Sequence, residues 1–112
     1  MSQINWKERA QHMNFNGQAF INGQRVDALS GATFECISPC DGRKLADVAR
    51  CDKADVDAAV SVAREAFEDG RWAHLSPRKR KEILIRFADL IVQSKNELAL
   101  TETLDLGKPI SN

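Results

Sequence analysis

A chain of 112 residues with 43% hydrophobic and 29% charged side chains has an ordinary soluble, globular composition and room for at most one small domain. Sixteen basic and sixteen acidic residues give a formal net charge of +0, which argues against a dedicated nucleic-acid or membrane-surface binder, since both depend on a basic excess. No apolar run approaches the roughly 20 residues of a membrane span, and the N-terminus lacks a secretory core or a transit-peptide charge bias.

In chain order, residues 1–16 read as an N-terminal arm, either a short polar helix or a loose segment, with Trp6 and Phe15 as its large apolar anchors. The stretch "QAFINGQRVDA" follows. Its Asn22-Gly23 pair lies between apolar Phe20-Ile21 and Val26, and it suits a two-residue type I′ hairpin, where both positions need positive φ. After the Ser30-Gly31 break, "TFECISP" and "RKLADVA" predict a second strand pair around a turn at Cys40 to Gly42. Phe34, Cys36 and Ser38 share one face of the first strand. In the second strand the alternation is imperfect, because Leu45 is in phase with Arg43 and Asp47 but Val48 is not.

The remainder reads as three helices. Asp52 caps the first, with Asp55 three positions on in a capping-box arrangement, and Val56, Ala59, Val60, Ala63 and Phe67 form its apolar face up to Gly70. Ser76-Pro77 starts the second with a capping hydroxyl and a proline at the first helical position. Leu84, Phe87, Ala88 and Ile91 supply its expected buried stripe. The third begins near Ser94 to Asn96 and carries Leu98, Leu100 and Leu104 to a stop at Gly107, with Pro109 beyond. The fold class is therefore α/β, two N-terminal β-hairpins followed by three helices. Isolated hairpins are marginal in water, so several apolar faces of this arrangement call for partners.

Chemistry-bearing groups are sparse. Cys36, Cys40 and Cys51 contain no C-x-x-C pair, and His12 and His74 are remote from them, which is the wrong spacing for a structural zinc site. An odd thiol count without a signal segment suggests reduced cytoplasmic cysteines. Their plain reading is a buried Cys36 and two incidental thiols, with Cys51, just before a helix, nearest to a reactive position. Arg78, Lys79, Arg80 and Lys81 sit in the first turn of a helix, against its dipole; a solvated or salt-bridged face is the better reading over nucleic-acid binding. "GKPIS" lacks the upstream glycine of a phosphate loop. Glu102 and Asp105 are three apart on one side of a helix, which suits surface or ion-binding roles better than acid–base work.

The stretches "FINGQRV", "FECISPCDGRKLADVARCDKADVDAAVSVAREAF", W-x-x-x-S-P-x-x-R and "LADLIVQSKNELALTETLDLGKP" together resemble the N-terminal part of the NAD(P)-dependent aldehyde dehydrogenase superfamily. The chain looks most like its dehydrogenases for γ-glutamyl-γ-aminobutyraldehyde and related ω-amino aldehydes. The resemblance implies that residues 17–112 form a truncated N-terminal portion of a Rossmann-type cofactor domain. It implies a cytoplasmic, homo-oligomeric parent that binds NAD or NADP and oxidises an aldehyde to a carboxylate through a cysteine nucleophile. That nucleophile, the general-base glutamate, the oxyanion-hole asparagine and the main NAD contacts lie beyond Asn112 in the family's pattern. No catalytic or cofactor-binding residue is therefore assigned here, and the chain by itself is expected to be inactive.

One site carries over. The resemblance implies a monovalent cation held by the backbone carbonyl of Ile37 and the carboxylate of Asp105, hard oxygen donors suited to such an ion, with further ligands outside this chain. The alternative for Asp105 is a hydrogen bond near the helix end. Two other functional classes stay open on sequence grounds. One is a stand-alone interaction module that docks through uncovered helix faces; the other is a small nucleic-acid binder using Arg78 to Lys81.

Overall fold

A computed structural model describes residues 3–111; of the arm 1–16 and the segment 17–112, Met1, Ser2 and Asn112 lie outside the described residues. The arm forms helix α1 (Trp6–Gln11), whose Asn5 cap accepts the Glu8 N–H at 3.1 Å. Strands β1 (Ala19–Ile21) and β2 (Gln24–Val26) pair antiparallel. Asn22 at φ 55° and Gly23 at φ 74° supply the two positive values that the tight turn demands.

Strands β3 (Thr33–Ile37) and β4 (Lys44–Ala49) form a second, separate two-stranded sheet. Cys36 faces Ala46 while Ile37 faces Lys44, so Leu45 is an extra residue on β4. This bulge accounts for the broken alternation of the strand, because an inserted residue resets the period of two.

Three longer helices follow, α2 (Lys53–Glu68), α3 (Pro77–Gln93) and α4 (Lys95–Leu106). Helix α2 opens with a complete capping box between Asp52 and Asp55. Helix α3 opens with the Ser76 hydroxyl accepting the Lys79 N–H at 3.2 Å and with Pro77 in the first turn. Ser94 alone separates α3 from α4, and its N–H closes the last turn of α3 onto Leu90 and Ile91. Gly107, left-handed at φ 85°, stops α4, its N–H reaching the Thr103 carbonyl at 2.8 Å.

The helix faces depart from their expected burial. Phe67 on α2 is 68% exposed and Phe87 on α3 is 60% exposed, and Val56, Val60, Leu84 and Ile91 are exposed with them. The expected buried stripe of α3 is open along its length, and no residue of α3 is buried. On α2 the half-covered residues are Ala59, Val62 and Ala66, which line a cleft with Phe20 and Ile21 of the first hairpin. On α4, Leu100 is buried and Leu104 half-buried, but Leu98 is exposed.

The reason is geometric. The radius of gyration is 17.8 Å and the extents are 46 × 42 × 20 Å, whereas a compact chain of this length has a radius near ~13 Å. The helices are splayed, and no layer within the described residues covers α2 and α3. Among the described residues, Ala28 and Leu100 are the buried hydrophobic ones, beside buried Ser38 and Asp55. Helix α1 packs on α4, with the Arg9 guanidinium 6.0 Å from the centre of the Trp6 ring.

Candidate functional site

The turn after β3 meets the C-terminal end of α4, and this seam gathers the residues that the sequence singles out. The Cys36 thiol donates to Asp105 Oδ1 at 3.1 Å. The Cys40 thiol lies 3.7 Å from the Thr103 carbonyl. Pro39 packs against Gly107 so closely that a Cβ built there would come within 3.3 Å of the proline ring. Ile37, the second expected ligand, is the neighbour of Cys36 in β3 and is exposed. A strand edge and a helix end are thus joined between residues 69 apart in sequence.

Cys36 is half-buried rather than fully buried, because its sulfur faces a solvated helix end instead of a core. The hydrogen bond to Asp105, then burial, then the negative charge of Asp105 all push its thiol above the ordinary value. A carboxylate acceptor favours the neutral S–H, which is the opposite of what a nucleophile needs. Cys40 and Cys51 are exposed. His12 borders an open groove of about 600 Å³ between α1 and α4, while the His74 ring stacks over Gly70.

The two carboxylates of α4 take different partners. Glu102 pairs with Lys108 at 3.9 Å, and Asp105 holds the Cys36 thiol, so the pair is not arranged for shared proton transfer. The basic run of α3 is a salt-bridged surface face: Arg78 and Lys79 both approach Glu82, at 3.5 and 3.9 Å. Among the described residues no group of three or more His, Cys, Asp and Glu is placed to hold a metal ion, and no helix is long and apolar enough to cross a membrane.

The sequence profile of the aldehyde dehydrogenase family matches residues 26–112. The chain belongs to that family. It is 48% identical over 105 residues to aldehyde dehydrogenase 1 of Tanacetum cinerariifolium, covering 94% of this chain and 21% of that protein. It is 44% identical over 105 residues to the NADP/NAD-dependent aldehyde dehydrogenase PuuC of Escherichia coli, again 94% of this chain and 21% of the relative. The solved structure of the P. syringae indole-3-acetaldehyde dehydrogenase AldA, in complex with NAD+ and IAA, superposes with a TM-score of 0.93 at 57% identity, over 96% of this chain and 22% of that one. The γ-glutamyl-γ-aminobutyraldehyde dehydrogenase of Burkholderia cenocepacia gives 0.93 at 53% identity, over 95% and 22%.

The chain thus spans about a fifth of these aldehyde dehydrogenases and corresponds to their N-terminal part. The two hairpins and the helices that follow are the incomplete beginning of that fold. Within it, the seam offers one backbone carbonyl and one carboxylate. Both are hard oxygen donors, the chemical type an alkali cation takes. Sequence spacing gives no hint of the thiol contact on Asp105, because nothing local links β3 to α4.

Proposed function

We propose that this chain is the N-terminal part of an NAD(P)-dependent aldehyde dehydrogenase that oxidises an aldehyde to a carboxylate, with residues 17–112 contributing to its cofactor domain and 1–16 forming an arm. The observation that carries this reading is the family match over a chain whose apolar helix faces stand open: α2 and α3 present Val60, Phe67, Leu84 and Phe87 to a surface that a larger fold would cover. NAD or NADP supplies the hydride acceptor when bound; the residues of this chain shape the outer part of the domain rather than touch the reacting atoms. Cys36 is held as a neutral thiol by Asp105, so the nucleophile is drawn from elsewhere. The isolated chain is inactive in this account.

The substrate class we favour is an ω-amino or γ-glutamylamino aldehyde. The support is the likeness to the Burkholderia enzyme and a 50% identity over 93 residues to the aminoacetaldehyde dehydrogenase of Pseudomonas aeruginosa. AldA has the same TM-score of 0.93 and a higher identity, 57% against 53%, which makes indole-3-acetaldehyde the comparison substrate. The working form is a cytoplasmic homo-oligomer with a monovalent cation at Ile37 and Asp105.

The test is to capture the native product in its source cell with an antibody to this segment, measure its intact mass, and assay it. A mass several times 12.5 kDa with NAD(P)-dependent oxidation of aminoaldehydes supports the reading. A mass near that of this chain, without turnover, overturns it in favour of an interaction module. Turnover confined to indole-3-acetaldehyde overturns the substrate class alone.

A further inference from the structure

Arg80 is the one residue of α3 that is not exposed. On a helix whose leucines, isoleucines and phenylalanine all stand open, the least accessible position is held by a cation. Arg80 also heads the apolar stripe, since Leu84, Phe87 and Ile91 follow it at steps of three or four residues and share its side of the helix. Its backbone N–H is already bonded to the Ser76 carbonyl at 3.0 Å, so what remains free is the side chain. Among the described residues the guanidinium has no ion pair. The one acid nearby on this helix, Glu82, is approached by Arg78 and Lys79. Lys81 is like-charged, and no acidic residue occupies the first turn, where the helix dipole is positive. A partly dehydrated positive charge therefore stands uncompensated at the head of an open apolar face.

We propose that the surface covering α3 carries an aspartate or glutamate whose carboxylate pairs with the Arg80 guanidinium as Leu84, Phe87 and Ile91 are buried. The occupant is the part of the native polypeptide outside these 112 residues. The inference thus rests on the proposed reading of the chain as the front of a longer enzyme, and it adds the chemistry of the layer that completes α3. Charge complementarity carries it. A purely apolar layer laid on the stripe would close over a cation without a partner, which is strongly destabilising. Escape of the side chain past the layer into water leads towards Arg78, Lys79 and Lys81, which crowd the same helix end with like charge. A carboxylate resolves both difficulties. The planar guanidinium takes it with two parallel N–H donors, which also fixes the register of the covering layer on the stripe.

The experiment uses the native polypeptide carrying this segment, with Arg80→Met, Arg80→Lys and Arg78→Met variants. Thermal unfolding is measured for all three. Arg80→Lys is also treated with a carbodiimide, which condenses an amine and a carboxylate in contact to an amide and takes up the released water as a urea. Peptide mass spectrometry then locates the new bond. Arg80→Met should lower the midpoint by several degrees, because it leaves the opposing carboxylate unpaired. Arg80→Lys keeps the charge without the fork and should lie between that variant and wild type. Arg78→Met removes an exposed cation and should shift the midpoint little. The amine introduced by Arg80→Lys should couple to an aspartate or glutamate outside residues 1–112 of the same molecule, a result that stands even where Arg80→Met does not fold. Equal midpoints for wild type and Arg80→Met, or coupling to Glu82 alone or to nothing, overturns this inference and leaves the longer enzyme standing. Coupling between two molecules gives the face to a second copy and overturns the occupant proposed here. A native product with a mass near 12.5 kDa overturns the underlying reading as well.

Discussion

The Asp55 carboxylate accepts the backbone N–H of Leu29 at 2.8 Å through Oδ1 and that of Asp52 at 3.0 Å through Oδ2. One side chain therefore closes the capping box of α2 and also binds the loop that follows the first hairpin, 26 residues upstream. Asp55 is buried, while the two residues whose amides it accepts, Leu29 and Asp52, are exposed. In a chain with few buried contacts, this is a principal tie between the hairpin and the helices.

Replacing Asp55 with alanine should remove both hydrogen bonds and half of the capping box together, and lower the thermal midpoint by several degrees. Asp55→Asn keeps one acceptor oxygen and should fall between the two. Melting followed by circular dichroism checks the order, and equal midpoints for wild type and Asp55→Ala would remove this role.

The same contacts set a pH dependence. Hydrogen bonds from the Asp52 and Leu29 backbones hold the Asp55 carboxyl below its ordinary 3.8 despite burial, which pushes the other way. The folded state thus binds this proton less readily than the unfolded one. The stability it contributes is fully present above the ordinary value and is lost as pH falls through the lower folded value. Asp69, held down by Arg71, behaves alike, so wild type alone does not separate the two. The difference in stability between wild type and Asp55→Asn does, and it should shrink steadily below pH ~4 in parallel urea titrations.

Local chemistry was legible in the sequence. Asn22-Gly23, the Asp52–Asp55 box, Ser76-Pro77 and Gly107 each satisfy backbone requirements within a few residues, and the structure honours all of them. Burial was not legible. The periodicity of Val60 and Phe67, or of Leu84 and Phe87, shows that a face is apolar and says nothing of what covers it. The Cys36–Asp105 contact escaped for a related reason, since it depends on how the second hairpin meets α4, a relation no local pattern encodes.

Gly17 provides a sharper test of close packing. Its carbonyl accepts the Ala49 N–H at 2.7 Å, and a Cβ at this position would run into the Asp47 carbonyl. Backbone has little freedom to retreat, so Gly17→Ala should cost about 2–3 kcal/mol. Gly42→Ala, at φ 74° but in open space, should cost about 1 kcal/mol from backbone strain alone. Denaturant unfolding of the two variants side by side gives the comparison; a Gly42 variant as damaged as the Gly17 one would contradict the tight approach to β4.

Phe67 separates the two readings of the open helix faces. It is 68% exposed here, so in the isolated 112-residue chain Phe67→Ala should change stability by no more than about 0.5 kcal/mol. That chain should also bind hydrophobic dyes, as exposed apolar patches do. In the full-length enzyme we propose, the same substitution should cost about 3–5 kcal/mol, the loss expected for a core phenylalanine. The contrast arises because burial is set by the covering layer and not by the helix itself. If both forms tolerate the change equally, nothing covers α2 in the native protein, and its apolar face is then free to dock a separate partner.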